Sequence, residues 1–538
     1  MTPVLAVERL SIAARGRRVV EELSFHIAPG ETLALVGESG SGKSATARAV
    51  IGLLPPGLAP DGGTIRFEGT ALTADSAALR RLRGPGIGMV FQEPMTSLNP
   101  AHRIGAQMEE GLALHTRLSR AQRRDCCIAM LERVGIVDPA SRLNAFPHEF
   151  SGGMRQRIML ASVMLLRPRL LIADEPTTAL DTLTQAEVMD LMTGLAREHG
   201  TALLLITHDL GLVARYADRA LVMQRGRAVE EGPAAPLLDN PREPYTRALV
   251  DALPRRGPAR PMAAASAPLI EARDLRVTYP KRGALFRRAE MFRAVDDVSL
   301  AIHPGEVVAL VGGSGSGKTT LGRAMLRLVP CSAGQLLFRG QEVTQRSGPA
   351  LMDFRLGCQI VFQDPYSSLD PRMRVRDIVA EPLRLPAGMP VGERHRRADA
   401  MLEEVGLDGL GARFPHALSG GQRQRVAIAR ALVRDPAFIV ADEAVSALDA
   451  TVRKQVLALL REQQRRRGFA CLFVTHDLGV VEEIADRIVV MQGGRIVEQG
   501  PRDAVLDAPA QDYTRALLAA ALRRPGVRQA ACGRRRDS

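Results

Sequence analysis

Two glycine-rich stretches of the same form could bind phosphate. They read GESGSGKS, from Gly37 to Ser44, and GGSGSGKT, from Gly312 to Thr319. Both match the pattern G-x-x-x-x-G-K-[ST], in which the backbone N–H groups of a tight turn surround phosphate oxygens at the start of a helix. In such a P-loop the lysine reaches the β- and γ-phosphates, and the final hydroxyl can hold Mg²⁺. The two stretches therefore predict two nucleotide-phosphate sites.

The lysines of these loops stand out in a chain that otherwise uses arginine. Only four of its 72 basic residues are lysines, and Lys43 and Lys318 are two of them. A compact ammonium group fits a crowded turn where a wide, planar guanidinium does not. The predicted phosphate ligands are Gly37, Ser39, Gly40, Ser41, Gly42, Lys43 and Ser44 in the first loop, and Gly312, Ser314, Gly315, Ser316, Gly317, Lys318 and Thr319 in the second.

An acidic pair ends an apolar run in each half of the chain. Asp174 and Glu175 follow LLIA, and Asp442 and Glu443 follow FIVA. The carboxyl end of a buried strand is where α/β sheets bind ligands. We expect Asp174 and Asp442 to bind Mg²⁺, together with Ser44 and Thr319, and Glu175 and Glu443 to act as general bases toward the attacking water.

A histidine follows the next apolar run in each half. His208 and His476 both lie in the tetrapeptide THDL, and each could hydrogen-bond a γ-phosphate and orient the attacking water. A single histidine in this setting is more often structural. Its repetition after the acidic strand favours the functional interpretation.

Two further motifs supply polar groups. Gln92 and Gln363 open a proline-containing loop and offer uncharged oxygen ligands to Mg²⁺. The tripeptide SGG, at Ser151, Gly152 and Gly153 and again at Ser419, Gly420 and Gly421, precedes a helix-like stretch and predicts a second anion-binding helix N-terminus in each half. One domain rarely needs two phosphate sites, so the second could serve the nucleotide of another domain.

The elements that must position these residues alternate between strand and helix. TLALVG and VVALVG before the P-loops are typical of buried strands, and KSATARAVIGLL and KTTLGRAMLRLV after them are typical of helices. The polar stretch between the FQ and SGG motifs favours helix. We therefore predict an α/β core with a helical insert.

The chain is an internal duplication with a period of about 270 residues, which indicates two complete domains and not a solenoid. FQEPMTSLNP recurs as FQDPYSSLDP, FPHEFSGGMRQR as FPHALSGGQRQR, and YTRALV as YTRALL. We predict domains at 1–252 and 269–524, a Pro- and Ala-rich linker at 253–268 and a basic tail at 525–538.

The composition is that of an ordinary globular protein. Hydrophobic residues make up 46%, and no stretch approaches the 18 uninterrupted apolar residues of a membrane span. The N-terminus does not resemble a secretory signal, and the six cysteines form no CxxC pair. The net charge of +13 is compatible with nucleic acid or an anionic surface, but we interpret it as arginine spread over solvated faces.

Together these motifs resemble the ATP-binding cassette (ABC) ATPases over nearly all of both halves. The resemblance implies two tandem P-loop NTPase domains, each with a mostly parallel-sheet core, an antiparallel β subdomain and a helical insert. It identifies Gln92 and Gln363 as Q-loops, SGG as the signature, and His208 and His476 as switch histidines. The stretches FQEPMTSLNP and NPREPYTRALV are similar to those of the peptide/nickel importer subfamily, whose fused members include peptide and glutathione importers.

The resemblance also implies partners. The two halves would form a pseudo-dimer within one chain, with two ATP molecules and Mg²⁺ between them and each signature facing the P-loop of the other half. The chain would lie peripherally on the cytoplasmic face of the inner membrane. There it would drive two membrane permeases that receive cargo, here expected to be peptides, from a periplasmic or extracellular solute-binding protein. No nucleic acid partner is expected.

A rival interpretation is a soluble tandem ABC protein that acts on ribosomes or nucleic acid. The basic charge is compatible with it. Such translation factors have a long, charged, helical linker, whereas this linker is short and rich in Pro and Ala, and the zinc-binding CxxC pairs of DNA-repair relatives are missing from the sequence.

The two copies differ where the family stacks an aromatic residue on adenine. Tyr279, in DLRVTYP, fits this role in the second half. The matching stretch RLSIAAR places Ala14 at the equivalent position, with the guanidinium of Arg15 as a neighbouring flat group. We therefore expect adenine to be bound unequally at the two sites.

Overall fold

The computed structural model describes residues 2–72, 77–91, 97–177, 180–257, 267–280, 291–385, 388–446 and 448–521. The described residues form two compact units, the first comprising the chain up to Leu180 and Thr184–Ala252, and the second comprising Asp181–Leu183 and Leu253–Ala521. The predicted Mg²⁺ ligand Gln92 and the predicted tail 525–538 lie outside the described residues, as do residues 258–266 of the predicted linker.

The first unit contains two sheets. Its strands are β1 Leu5–Ala14, β2 Arg17–Ile27, β3 Thr32–Val36, β4 Leu58–Phe67, β5 Thr70–Leu72, β6 Ile87–Val90, β7 Leu170–Asp174, β8 Ala202–Thr207, β9 Arg219–Gln224 and β10 Arg227–Pro233. An antiparallel sheet has the order β2-β1-β4-β5, and a six-stranded sheet has the order β10-β9-β3-β8-β7-β6. In the larger sheet only β10 runs antiparallel to its neighbour.

The order of the larger sheet brings the predicted site residues to one edge. β8 lies between β3 and β7, and all three strands are parallel. Their carboxyl ends therefore lie side by side. The P-loop follows β3, Asp174 ends β7 and His208 follows β8, so three motifs distant in sequence meet at that edge.

The helices of the first unit cover both faces of the larger sheet and form the insert. They are Lys43–Val50, Ala77–Leu82, Ile104–His115, Arg120–Arg133, Pro139–Arg142, Gly152–Met164, Thr182–His199, Leu210–Tyr216, Ala234–Asp239 and Pro244–Asp251, with a 3₁₀ turn at Pro147–Glu149. The insert predicted between the FQ and SGG motifs is helical: Ser119 caps Arg120–Arg133 in a capping box with Gln122.

The second unit repeats both sheets. Its strands are β11 Ile270–Pro280, β12 Met291–Ile302, β13 Val307–Val311, β14 Ala333–Phe338, β15 Gln341–Glu342, β16 Cys358–Val361, β17 Phe438–Asp442, β18 Ala470–Val474, β19 Arg487–Gln492 and β20 Arg495–Pro501. The antiparallel sheet has the order β12-β11-β14-β15, and the larger sheet has the order β16-β17-β18-β13-β19-β20. Only the β19–β20 pair of the larger sheet is antiparallel.

The helices of the second unit follow the same plan. They are Lys318–Met325, Gly348–Leu356, Pro365–Ser368, Val375–Ala380, Val391–Glu404, Gly420–Leu432, Ala450–Arg467, Leu478–Ile484, Arg502–Asp507 and Asp512–Ala520, with 3₁₀ turns at Glu381–Arg384 and Pro415–Ala417. The fold class predicted from the sequence is thus confirmed in both units.

The central strands are mostly apolar because both of their faces are buried. In β7, Leu170 and Ile172 pack into a core shared with the antiparallel sheet. The alternate residues Leu171 and Ala173 pack into a second core with the helical insert. This is the pattern expected of a parallel strand covered on both sides. Among the described residues no helix has the length and apolar character needed to cross a membrane.

Candidate nucleotide sites

The P-loop of each unit has a backbone geometry that requires glycine. In the first unit Gly37 has a φ of 155°, and a Cβ atom there would lie 2.2 Å from the carbonyl oxygen of Met223. Gly42, which precedes the helix Lys43–Val50, has a φ of 100°. A side chain would be strained at either position. Gly312 of the second unit repeats the first arrangement with a φ of 151°.

Each P-loop lysine is buried and surrounded by oxygen atoms of its own loop. Lys43 is 5% exposed, and its Nζ donates to the carbonyl oxygens of Gly37 at 2.7 Å and Glu38 at 2.8 Å, and to Oγ of Ser41 at 3.3 Å. Lys318 makes the matching contacts to Gly312 at 2.8 Å, Gly313 at 2.8 Å and Ser316 at 3.4 Å. Burial lowers the pKa of Lys318. The exposed turns at Ser39–Gly40 and Ser314–Gly315 leave the loops open to a ligand.

The predicted Mg²⁺ ligands pair within each unit. Ser44 Oγ donates to Asp174 Oδ1 at 2.8 Å, and Thr319 Oγ1 donates to Asp442 Oδ1 at 2.9 Å. Among the described residues, the other carboxylate oxygen of Asp174, Oδ2, is buried without a hydrogen-bond partner. Burial raises the pKa of both Asp174 and Asp442. A hydroxyl next to a buried carboxylate with an unused oxygen suits a hard cation, so the residues present fit Mg²⁺.

The predicted general bases each contact the predicted histidine. His208 Nδ1 lies 3.2 Å from Glu175 Oε1, and His476 Nδ1 lies 3.3 Å from Glu443 Oε1. Glu175 and Glu443 both have a φ of 47°, a left-handed conformation that is strained for a glutamate and is often found at functional sites. The structure therefore brings these residues together in both units.

In the second unit, Glu443 and His476 stabilise each other's charged form. Burial favours a higher pKa for Glu443, but the hydrogen bond and charge of His476 outweigh it, so that the pKa of Glu443 is lowered. Burial favours a lower pKa for His476, but the hydrogen bond and charge of Glu443 outweigh it, so that the pKa of His476 is raised. A carboxylate beside an imidazolium is thus favoured.

Gln363 joins the cluster of the second unit. Its Nε2 donates to Oε2 of Glu443 at 2.8 Å, although the residue is exposed. This hydrogen bond links the side chain to the predicted general base.

The signature residues lie at the starts of separate helices. Ser151 and Ser419 are the N-caps of Gly152–Met164 and Gly420–Leu432, and their Oγ atoms accept from Met154 N and Gln422 N, each at 3.3 Å. The last glycine of each signature faces a neighbouring helix. A Cβ atom at Gly153 would lie 2.3 Å from Thr184 Cγ2, and one at Gly421 would lie 2.3 Å from Val452 Cγ1.

Tyr279 lies on β11, directly opposite Phe292 of β12. Both side chains are largely exposed, at 40% and 54%. Two residues further along β12, the carbonyl oxygen of Ala294 would lie 2.2 Å from a Cβ atom on Gly317, so this strand passes next to the P-loop. An aromatic pair therefore lies near the predicted phosphate site.

The equivalent pair in the first unit contains no aromatic residue. Ala14 of β1 lies directly opposite Arg17 of β2. Arg15, the flat group suggested by the sequence, lies in the turn between these strands with a φ of 47°. Arg17 is thus the cross-strand neighbour of Ala14.

Comparison with known families agrees with this geometry. The model described as ABC transporter matches residues 20–178 and 295–446. The chain belongs to the ABC transporter family. A second model, described as the C-terminal region of oligopeptide/dipeptide transporters, matches residues 229–281 and 497–532. The two ABC cassettes bind ATP, and their ATP hydrolysis is coupled to transport.

Curated ABC relatives match nearly the whole chain. The peptidoglycan transport ATP-binding protein YejF of Agrobacterium fabrum is 46% identical over 96% of this chain and 96% of its own length. The glutathione import ATP-binding protein GsiA of Escherichia coli is 44% identical over 96% of this chain and 89% of its own length. The ABC transporter ATP-binding protein YejF of Escherichia coli is 44% identical over 96% of this chain and 99% of its own length.

Sequence reasoning missed two tyrosines that contact the P-loops of the cassettes. Tyr245 Oη accepts from Glu38 N at 3.2 Å, and Tyr513 Oη accepts from Gly313 N at 2.8 Å. The sequence did contain a signal for them, because the pentapeptide YTRAL recurs in both halves. A helix that only faces solvent would not require the same residues in both copies.

Proposed function

We propose that this chain is the energy-coupling ATPase of an importer for peptide-containing solutes. It would lie peripherally on the cytoplasmic face of the inner membrane, bind two permease subunits and receive cargo through a solute-binding protein. Relatives named for peptidoglycan and for glutathione transport support this cargo class, because both compounds contain amino-acid residues. The match to the C-terminal region of oligopeptide/dipeptide transporters supports it further.

The observation that carries the proposal is the same polar cluster in both units. In each unit a lysine, an aspartate, a glutamate and a histidine converge at one edge of the larger sheet. We assign phosphate binding to the P-loops and to the signature residues Ser151–Gly153 and Ser419–Gly421. Glu175 and Glu443 would each accept a proton from the attacking water, and His208 and His476 would orient that water.

Mg²⁺ fits beside these residues. Ser44 with Asp174, and Thr319 with Asp442, would bind it in the two cassettes, with Gln92 and Gln363 as further oxygen ligands. When bound, the ion neutralises charge on the phosphates. Gln363 donates to Glu443 through Nε2, and its amide oxygen is the atom that would bind the cation, because an amide oxygen is an acceptor with two lone pairs.

The test uses the two glutamates separately. Glu175→Gln and Glu443→Gln each preserve size but remove the basic carboxylate. We expect each to lower the steady-state ATPase rate of the assembled transporter at least tenfold while ATP binding is retained, since general bases contribute about 10²–10⁴-fold. Glu110→Gln, on the exposed face of the helix Ile104–His115, is the matched control and should leave the rate unchanged. A normal rate in either glutamate variant would contradict hydrolysis at both sites.

The partners require a separate experiment. Affinity purification of the full chain from its own cell membranes should recover two hydrophobic subunits that carry membrane spans. The alternative function on ribosomes or nucleic acid predicts recovery of ribosomal particles instead. Recovery of ribosomes without membrane subunits would overturn the transport proposal.

A further inference from the structure

A tyrosine on the last described helix of each unit contacts the P-loop of the same unit. Tyr245, on Pro244–Asp251, accepts a hydrogen bond from the backbone N–H of Glu38, and Tyr513, on Asp512–Ala520, accepts one from that of Gly313. Glu38 and Gly313 are the second residues of their P-loops. Both tyrosines are half-buried and occupy the same place in the repeated YTRAL motif.

The peptide group that each tyrosine contacts is also held by the P-loop lysine. In the first unit the peptide between Gly37 and Glu38 donates its N–H to Tyr245, and its carbonyl oxygen accepts from Lys43 Nζ at 2.7 Å. A peptide group is planar, and its N–H and C=O point in opposite directions. The two hydrogen bonds therefore fix the rotation of this plane between them.

The second unit has the same arrangement around a different residue. The peptide between Gly312 and Gly313 donates its N–H to Tyr513, and its carbonyl oxygen accepts from Lys318 Nζ at 2.8 Å. The second P-loop residue is glutamate in one unit and glycine in the other, so its side chain does not determine the contact. What the two loops share at this position is a backbone N–H, which a proline would lack.

The helix that carries each tyrosine is anchored to the larger sheet. Glu230 of β10 accepts from the backbone N–H groups of Arg242, at 2.9 Å, and Glu243, at 3.2 Å, just before the first tyrosine helix. Glu498 of β20 accepts from those of Ala510, at 2.8 Å, and Gln511, at 3.1 Å, before the second. In each unit, the larger sheet that carries the P-loop therefore also anchors the helix whose tyrosine contacts that loop.

We propose that Tyr245 and Tyr513 are positioning residues for ATP binding. Each hydroxyl fixes the first peptide of its P-loop, and that peptide in turn directs Lys43 or Lys318. The second family model matches residues 229–281 and 497–532, and these two segments contain both tyrosines. They would therefore affect ATP binding through the backbone of the P-loop. The inference rests on the proposed binding of ATP phosphates by the P-loops.

The test removes the hydroxyl and keeps the ring. Tyr245→Phe is made in a chain whose second site is disabled by Lys318→Ala, and Tyr513→Phe in one with Lys43→Ala. ATP affinity is measured by titration without Mg²⁺, so that ATP is not hydrolysed. We expect Kd to rise about two- to tenfold, the range for loss of one net hydrogen bond. ATP and GTP should be affected equally, because the contact acts on the phosphate side.

A matched control separates positioning from general loss of stability. Tyr216 is buried in the first unit, and its hydroxyl donates to Asp190 Oδ1 at 2.7 Å. Tyr216→Phe removes a comparable hydrogen bond at the end of the helix Leu210–Tyr216 and should leave ATP affinity unchanged. Thermal unfolding of all three variants shows whether each remains folded.

Each outcome decides the inference. An unchanged Kd in the tyrosine variants overturns it, and so does an equal rise in Tyr216→Phe. The proposed P-loop function is tested separately by Lys43→Ala and Lys318→Ala together. If that double variant binds ATP normally, the P-loop assignment itself fails; if it loses binding while Tyr245→Phe and Tyr513→Phe bind normally, only the positioning role fails.

Discussion

Lys43 donates hydrogen bonds to three oxygen atoms that converge within a few residues of its own loop. A guanidinium presents its donors in a rigid planar fork and cannot point them at these oxygens in the same space. We expect Lys43→Arg to raise the Kd for ATP at its site at least tenfold, measured with the second site disabled.

A second lysine supplies the control for this substitution. Lys454 lies on the exposed surface of the helix Ala450–Arg467, far in sequence from either P-loop. Lys454→Arg makes the same chemical change and should leave ATP affinity unaltered. Near-normal affinity in Lys43→Arg would refute the argument that the loop selects a compact charge.

At the residue scale, the sequence predicted which residues form the site better than it predicted their backbone conformation. The repeated motifs were enough to select Lys43, Asp174, Glu175 and His208, which the structure places at one edge of the sheet. The left-handed φ of Glu175 was not predictable, because a tertiary environment imposes it on a residue that does not prefer it. The tyrosine contacts were missed for a related reason: Tyr245 and Glu38 are 207 residues apart, and no local pattern joins them.

Packing between helices explains the last glycine of each signature. In the second unit a Cβ atom at Gly421 would lie 2.3 Å from Val452 Cγ1, whereas one at Gly420 would meet nothing within 4 Å. Gly421→Ala should therefore force the helices Gly420–Leu432 and Ala450–Arg467 apart. We expect a loss of about 1–3 kcal/mol in the free energy of unfolding, the range for overpacking.

Thermal or denaturant unfolding of the full chain measures this effect. Gly420→Ala is the control for it, because alanine there meets open space and favours helix over glycine by about 0.5–1 kcal/mol. Equal stabilities of the two variants would show that the second signature glycine is not required for packing.

At the element scale the buried strands were predictable and the smaller sheet was not. Strands such as β7 are recognisable because burial on both faces makes them apolar up to their last residue, here Asp174. The antiparallel sheet pairs β1 with β4, and register shifts interrupt this pairing. β4 is mostly exposed and β1 has a buried run near its centre, so neither strand shows a clean alternation of buried and exposed residues. Its prediction came from family resemblance and not from periodicity.

Residues at the start of the predicted linker make contacts that the composition of the linker did not predict. Arg256 donates two hydrogen bonds to the carboxylate of Asp507, each at 2.9 Å, within the second unit. Gly257 N donates to the carbonyl oxygen of Glu482 at 3.2 Å. A stretch rich in Pro and Arg predicts exposure, but an arginine binds wherever the fold places a carboxylate within reach.

For the whole molecule, the two units share the contacts around their P-loops and differ in the exposed residues at the edge of the antiparallel sheet. The two units make the same hydrogen bonds at nearly the same lengths. Lys43 matches Lys318, and the pair Ser44–Asp174 matches the pair Thr319–Asp442. These contacts depend on charge and on backbone geometry that few residues can supply. The edge of the antiparallel sheet is exposed, and its side chains are not constrained by packing in the same way.

The two sites should therefore bind adenine unequally. Tyr279 and Phe292 give the second unit an exposed aromatic pair next to its P-loop, whereas the first unit has Ala14 and Arg17 in the same places. Base–aromatic stacking contributes about 1–3 kcal/mol, so the Lys43 site should bind ATP about five- to a hundredfold more weakly than the Lys318 site. The guanidinium plane of Arg17 could recover part of this difference.

Base selectivity distinguishes this effect from any change in phosphate binding. With each P-loop lysine disabled in turn, the Lys43 site should discriminate poorly between ATP and GTP, and the Lys318 site should prefer ATP. Ala14→Tyr should tighten ATP binding at the first site, and Tyr279→Ala should weaken it at the second. Equal affinities of the two sites for ATP would contradict the argument, because the lysine contacts and the hydroxyl–aspartate pairs of the two sites are alike whereas the proposed base surfaces differ.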